Sequence, residues 1–152
     1  RGDYKGQSGM AMTFGHGVLI GKSTKQKLNA KSSTEAEVIA TSDAASQILW
    51  TKEFMNCQGY DIDKYVVYQD NKSLILLEKN GRVSCGPNTK HINNRYFFIK
   101  DYVGTDEITI HHCPKEKMVA DFFTKPLQGT DFTTFRDMIM SITPFYEIQT
   151  SI

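Results

Sequence analysis

Four acidic side chains stand where they could do chemistry. Glu35 and Glu37 lie in "KSSTEAEVIATSD", Asp70 closes "KYVVYQD", and Asp121 sits among apolar neighbours in "VADFFTK". A glutamate near a helix start, an aspartate ending a strand and an aspartate opening a late helix could together hold two Mg²⁺ ions. Such a pair, roughly 3.5–4 Å apart, activates water and stabilises the leaving oxygen in phosphodiester hydrolysis. Mg²⁺ suits a site of this kind because it takes few carboxylates and keeps places for water and phosphate. Each acid also has a plainer use. Asp70, or Asn71 beside it, is a natural N-cap for a following helix, and Asp121 would favour the positive end of a helix in its first turn. Ser32 and Glu35 have the spacing of a capping box, but so do Thr34 and Glu37, and both glutamates flank the apolar stripe of their helix. Spacing alone leaves these alternatives open.

The elements that would carry these residues can be read along the chain. "GMAMTFGHGVLIG" has short apolar runs broken by glycines and predicts a hairpin turning near Gly15 to Gly17, followed by the basic loop "KSTKQKLNAK" from Lys22 to Lys31. A long helix is expected from about Ser33 to Asn56, with Val38, Ala45 and Leu49 on one face and Ile39, Trp50 and Phe54 broadening it. Gly59 follows as its stop. Residues 64–69 are β-branched and aromatic, as in a buried strand, so Asp70 falls at a strand's carboxyl end, where open α/β sheets collect their ligands. A second helix is expected from Asp70 to Gly81, then a loop through "VSCGPNT". Ile92, Tyr96, Ile99 and Val103 recur at helical spacing, and "EITIHHC" reads as a strand ended by Pro114. A short helix over 116–125 stops at Pro126, and 130–142 is a C-terminal helix striped by Phe132, Phe135, Ile139 and Ile142, capped by Thr130 or Asp131. This order implies an α/β fold with a mixed sheet.

Bulk composition excludes more than it identifies. A chain of 152 residues suits a single domain, and 18 Lys+Arg against 17 Asp+Glu give no global basic field, so a nucleic-acid partner must be met by local patches. No apolar run is long enough for a membrane span. Cys57, Cys85 and Cys113 lack metal-type pairing, which points to free thiols in a reducing compartment. His111, His112 and Cys113 do not make a zinc site, since neighbours on a strand point to opposite faces. "GHGVLIGK" is too loose for a phosphate-cradling loop, which disfavours a phosphotransferase. Trp50, Phe54, Phe97 and Phe98 are expected in the core.

Four ordered segments, "KSSTEAEVIA", "YQDNKSLI", "TKHINNRYFFIKDYV" and "VADFFTKPLQG", resemble the ribonuclease H domain of copia-type LTR retrotransposon Pol polyproteins. "KSTKQK" and the "FRDMI" helix also look like that family, so the resemblance covers essentially the whole chain. Carried over residue by residue, it places the family's second, third and fourth metal-binding carboxylates on Glu37, Asp70 and Asp121, leaving Glu35 to the helix cap. It implies a ribonuclease H-like fold, a mixed five-stranded sheet flanked by helices. It also implies cleavage of the RNA strand of RNA–DNA hybrids with two Mg²⁺ ions, Mn²⁺ being an alternative. The 2′-hydroxyl identifies RNA, and Ser33, Thr34, Asn71, Lys90, His91 and Arg95 are the expected nucleic-acid contacts. The implied partners are the hybrid and the reverse transcriptase domain of the same polyprotein, in a cytoplasmic retrotransposon particle and also the nucleus.

The family's first metal-binding aspartate lies on a strand that precedes the segment matching "DYKGQSGMAM". The chain opens on Arg1, so it reads as a fragment of a polyprotein, or a degenerate copy, that lacks the first, central strand. Weak or no cleavage by this chain alone is the expectation. The alternative function is a non-catalytic nucleic-acid-binding or structural module of a retroelement polyprotein.

Overall fold

The computed structural model describes residues 5–30, 32–62, 65–72, 90–105 and 107–145, and for 90–93 the backbone only. The helix expected over 70–81, the loop "VSCGPNT" and Cys85 lie essentially outside these residues. The chain falls into two compact units, one from Arg1–Asn29 and Cys113–Ile152, the other from Ala30–His112.

The first unit starts with a hairpin. Strand β1 (Gln7–Met12) pairs antiparallel with β2 (Ile20–Lys25), Gln7 opposite Lys25 and Met12 opposite Ile20. The loop between them turns through Gly15 and Gly17, both at positive φ (105° and 59°), a backbone region that side chains disfavour. Gly9 and Gly21 serve another purpose. A Cβ on Gly9 would lie 2.6 Å from the Ala120 carbonyl oxygen, and one on Gly21 would lie 2.6 Å from the Phe123 ring. Their missing side chains therefore let the segment 119–123 lie directly on the hairpin. Ser23 Oγ fastens it there by donating to the Phe123 carbonyl. That segment was expected to be α-helical; it is instead a pair of 3₁₀ turns, Lys115–Lys117 and Val119–Phe123. Pro114 precedes these turns and Pro126 follows them, and the close seat on Gly9 and Gly21 holds the second turn against the hairpin.

The last helix of this unit runs Gly129–Ile139 and buries Phe135 and Met138. Its N-cap is Gln128, without a side-chain hydrogen bond, so neither Thr130 nor Asp131 caps it. It ends three residues before the expected Ile142, in a Schellman turn: Ile142 N–H donates to the Asp137 carbonyl and Ser141 N–H to that of Met138.

The second unit is built on α1 (Ser33–Cys57). Gly59 stops it as expected, at φ 87°, with Tyr60 N–H returning to the Met55 carbonyl in a Schellman turn. Val38, Ile39, Ala45 and Ile48 supply its buried face, each Val or Ile contributing about 1.5–3 kcal/mol when removed from water. Thr41, Ser42 and Thr51 are buried beside them. Thr51 Oγ1 satisfies itself on the Gln47 carbonyl one turn back, at 2.9 Å. Trp50, Phe54 and Phe97 are not core: they are 60%, 48% and 53% exposed, and Trp50 stacks on Phe54 with ring centroids 5.4 Å apart. The apolar stripe of α1 faces inward through its β-branched residues and alanine, which leaves the aromatics one helical step outside it.

Strand β3 (Tyr65–Gln69) pairs parallel with β4 (Ile108–His112), Tyr65 opposite Ile108 and Gln69 opposite His112. The helix α2 (Lys90–Gly104) packs on α1 and β4, with Tyr96 and Ile99 each about fully buried, so its helical stripe is confirmed at those two positions. Numbering in chain order makes the Gly129–Ile139 helix α3. The architecture is α/β. One mixed sheet was expected; among the described residues there are two two-stranded sheets, β1–β2 antiparallel and β3–β4 parallel.

Candidate carboxylate site

The start of α1 is fixed by Ser32. Its backbone is extended (φ −146°, ψ 163°), and its Oγ accepts from Glu35 N–H at 3.1 Å, while its carbonyl takes the first helical bond from Ala36. This is the N-cap arrangement that the Ser32–Glu35 spacing predicts. Thr34 is therefore the second residue of the helix and not its cap, and Glu37 stands in the second turn, half-buried.

Glu37 meets β3 through Gln69. The Gln69 Nε2 donates to Glu37 Oε2 at 3.1 Å and to Thr41 Oγ1 at 3.2 Å, and Gln69 Oε1 accepts from Asn71 N–H at 3.1 Å. Glu37 and Thr41 are four apart, hence neighbours on one helix face. The orientation of the amide is dictated by its partners. A backbone N–H can only donate, so it selects Oε1, and a carboxylate can only accept, so it selects Nε2. Gln69 is 7% exposed, which makes both N–H donors and the carbonyl expensive to leave unpaired, and all three are used.

Asp70 follows directly, half-buried, in the turn that Asn71 N–H closes on Gln69. The structure thus brings Glu37 and the Asp70 turn to one place through a single neutral side chain. Whether Asp70 or Asn71 also caps a helix lies outside the described residues. Ser33 and Thr34 occupy the first turn of α1, exposed and half-buried, one turn before Glu37.

Asp121 belongs to the first unit. Its carbonyl accepts from Thr124 and Lys125 N–H, and its carboxylate pairs with Lys125 Nζ at 2.5 Å. The side chain is 19% exposed. Arg95 lies on α2 and donates from Nη1 to Asp43 Oδ1 on α1, tying the two helices. Lys90 and His91 open α2, and their side chains lie outside the described residues. Lys22, Lys25 and Lys27 are all exposed, the first two on β2.

The donor chemistry can be tested against Mg²⁺. Among the described residues no three His, Cys, Asp or Glu side chains gather into a group able to hold a metal. That is unlike a structural zinc site, which is closed by four protein ligands. Glu37 and Asp70 offer only oxygen donors, and one or two carboxylates with water and phosphate are the usual complement of Mg²⁺. The donor type fits that ion. His111 is exposed and lies 6.2 Å from the Tyr68 ring between centroids, which gives no support to a histidine–cysteine metal centre.

Sequence reading missed Gln69 and Thr41. Neither titrates nor ligates a catalytic metal in the usual way, so neither attracts attention beside four acids. The available signal was a glutamine ending an otherwise apolar strand immediately before Asp70.

No protein-family model and no solved structure matches the chain. Curated relatives do. A stretch of the Retrovirus-related Pol polyprotein from transposon TNT 1-94 of Nicotiana tabacum is 32% identical over 135 residues, which is 89% of this chain and 10% of that protein. The Retrovirus-related Pol polyprotein from transposon RE1 of Arabidopsis thaliana is 30% identical over 138 residues, 90% of this chain and 9% of that protein. The Transposon Ty1-NL2 Gag-Pol polyprotein of Saccharomyces cerevisiae is 29% identical over 133 residues, 82% of this chain and 7% of its own length. The chain spans a tenth or less of these relatives. It is homologous to a segment of retrotransposon Pol polyproteins.

Proposed function

We propose that the chain is the ribonuclease H domain of a copia-like retrotransposon Pol polyprotein, a metal-dependent endonuclease acting on the RNA strand of RNA–DNA hybrids. The observation that carries this reading is the Gln69 bridge, which sets Glu37 of α1 beside the Asp70 turn at the carboxyl end of β3. Glu37 and the turn that holds Asp70 come from separate motifs and are joined through this one side chain. The ordered match of all four segments supports the same assignment. Asp121 enters through its motif alone.

In this reading Glu37, Asp70 and Asp121 are the catalytic, metal-binding carboxylates for Mg²⁺ or Mn²⁺. When bound, the metal supplies an activated water and charge stabilisation at the leaving oxygen. The chain's own residues do the rest. Ser33 and Thr34 offer hydroxyls to the minor groove, where 2′-hydroxyls distinguish RNA. Asn71, Lys90, His91 and Arg95 bind backbone and sugar, which positions the hybrid without reading its sequence. The reverse transcriptase domain of the same polyprotein would supply hybrids from its own synthesis, in the retrotransposon particle.

One observation favours the second reading, a non-catalytic module. The Asp121 carboxylate is already paired with Lys125, a use that needs no metal. The two readings separate in a cleavage assay with Mg²⁺, run on the chain and on the chain joined to the preceding strand of a homologous Pol polyprotein. For the nuclease, the joined protein cuts the RNA strand, and Asp70→Asn abolishes cutting while hybrid binding stays within about threefold. Binding without cutting in the joined protein would establish the module instead.

A further inference from the structure

We propose that Gln69 is the positioning residue of the carboxylate site, holding Glu37 in the orientation that receives a divalent cation. The inference rests on the ligand role proposed for Glu37. It follows from how the Gln69 side chain is used. One N–H engages Glu37 Oε2, the other Thr41 Oγ1, and the carbonyl engages Asn71 N–H. The amide is thus held by α1 on one side and by its own strand end on the other, so its position is determined before any cation arrives. Burial at 7% exposure keeps water from replacing these bonds.

The neutrality of glutamine matters as much as its reach. A lysine or arginine in this position would orient Glu37 equally well but would cancel the charge that attracts a cation. An aliphatic residue would fill the space and withdraw the amide donor from Glu37 Oε2. Glutamine alone among side chains of this length fixes a carboxylate with one N–H, accepts a backbone N–H with its oxygen, and carries no charge. Outer partners of metal ligands generally work this way, and their loss weakens metal binding about 10–100-fold.

The experiment measures Mn²⁺ binding to the chain by electron paramagnetic resonance, in parallel with thermal unfolding. Gln69→Met keeps the volume and removes all three bonds; its Mn²⁺ dissociation constant rises about tenfold or more. Thr41→Val removes only the second acceptor of the amide and shifts the constant in the same direction by less. Ile99→Val, on α2, is a destabilised comparator whose affinity stays at the wild-type value. In the wild type the Gln69 side-chain amide resonances move on titration with Mg²⁺, and in Glu37→Gln they do not.

Mn²⁺ affinity within twofold of wild type in Gln69→Met, while Glu37→Gln loses binding, overturns the positioning role and leaves the carboxylate site standing. Equal affinity losses in Gln69→Met and Ile99→Val at matched melting temperatures also overturn it, because the effect is then general loosening. Wild-type affinity in Glu37→Gln removes the ligand reading, and this inference with it.

Discussion

The Gln69 amide and the Glu37 carboxylate meet at 3.1 Å across 32 residues of sequence. The contact joins the second turn of a helix to the last residue of a strand, and each end is fixed independently. Ser32 sets where α1 begins, and the register of β3 against β4 sets where Gln69 points. A one-residue slip of β3 would turn Gln69 to the other face of the sheet and bring Tyr68 or Asp70 against α1. Site geometry here is therefore a consequence of a helix cap, which is local, and of a strand register set by a distant segment of the chain.

The cap is directly testable. Replacing Ser32 by alanine removes the acceptor for Glu35 N–H and lowers stability by about 1 kcal/mol. Urea unfolding followed by circular dichroism should show the midpoint fall with an unchanged slope. A midpoint equal to wild type would mean that the first turn of α1 does not depend on this side chain.

Gly9 tests the seating of the segment that carries Asp121. A Cβ there would stand 2.6 Å from the Ala120 carbonyl and 2.5 Å from Thr124 Cγ2, and a backbone oxygen cannot step aside as a flexible side chain can. Gly9→Ala is expected to destabilise the first unit by about 1–3 kcal/mol. Amide exchange at 119–124 should accelerate more than at the Gly129–Ile139 helix. Uniform exchange across both would show that the glycine serves the hairpin alone.

Much of the framework was legible because it rests on local signals. Ser32 with Glu35, the glycines at 15, 17 and 59, and the Tyr96–Ile99 stripe each act within a turn or two of sequence, and the structure bears them out. Trp50, Phe54 and Phe97 were misplaced because hydrophobicity says that a residue gains by burial, not that a partner surface exists for it. Thr41 and Thr51 are buried polar residues whose hydroxyls are met by Gln69 and by the helix's own Gln47 carbonyl, a device invisible to hydropathy. The segment 119–123 misled for a related reason: its apolar pattern suits a helix, yet the close seat that Gly9 and Gly21 leave on the hairpin holds it as a 3₁₀ turn. In the site, the acids were visible by type, whereas Gln69 gains its importance only from contacts made across 32 residues.

Ser141 adopts φ 63°, the one described non-glycine residue at positive φ, at the position of a Schellman turn that usually holds glycine. The left-handed conformation costs a side chain about 1 kcal/mol relative to glycine. Ser141→Gly should accordingly leave stability equal or raise it by up to about 0.5 kcal/mol once the added freedom of the unfolded chain is subtracted. A melting temperature equal to wild type or about 1–2 °C higher is the expected reading, and a fall would indicate that the serine hydroxyl has a stabilising role of its own.

Arg95 has two claims on it. In the structure it pairs with Asp43, an exposed contact of the kind worth under about 1 kcal/mol. The proposed function gives it a phosphate. Arg95→Gln should weaken hybrid binding equally for all sequences and reduce the salt slope by about one contact. Asp43→Asn, which releases the arginine, should strengthen binding. Fluorescence anisotropy over a salt series decides this: insensitivity to both substitutions would confine Arg95 to holding α1 and α2 together.

Tyr65 offers a pH test away from the carboxylates. Among the described residues its hydroxyl is buried without a hydrogen-bond partner, next to the Lys52–Glu107 ion pair that spans 2.9 Å. Burial pushes the phenol above its ordinary value of 10.0, and the positive charge of Lys52 pulls it back only in part. The sign follows from proton binding. Where the folded phenol holds its proton and the unfolded one has released it, the unfolded state binds fewer protons, so stability falls as pH rises. The contribution is constant below about pH 10, the unfolded value, and is lost as pH climbs from there through the raised folded value. Tyr65→Phe should remove that part of the alkaline loss and, by removing an unpaired buried hydroxyl, leave stability at neutral pH equal or about 1 kcal/mol higher. Thermal melts of both proteins from pH 7 to 11 test the point. Parallel curves would mean that the phenol keeps its proton in neither state or in both, and a Tyr65→Phe protein less stable at pH 7 would mean that the hydroxyl has a partner after all.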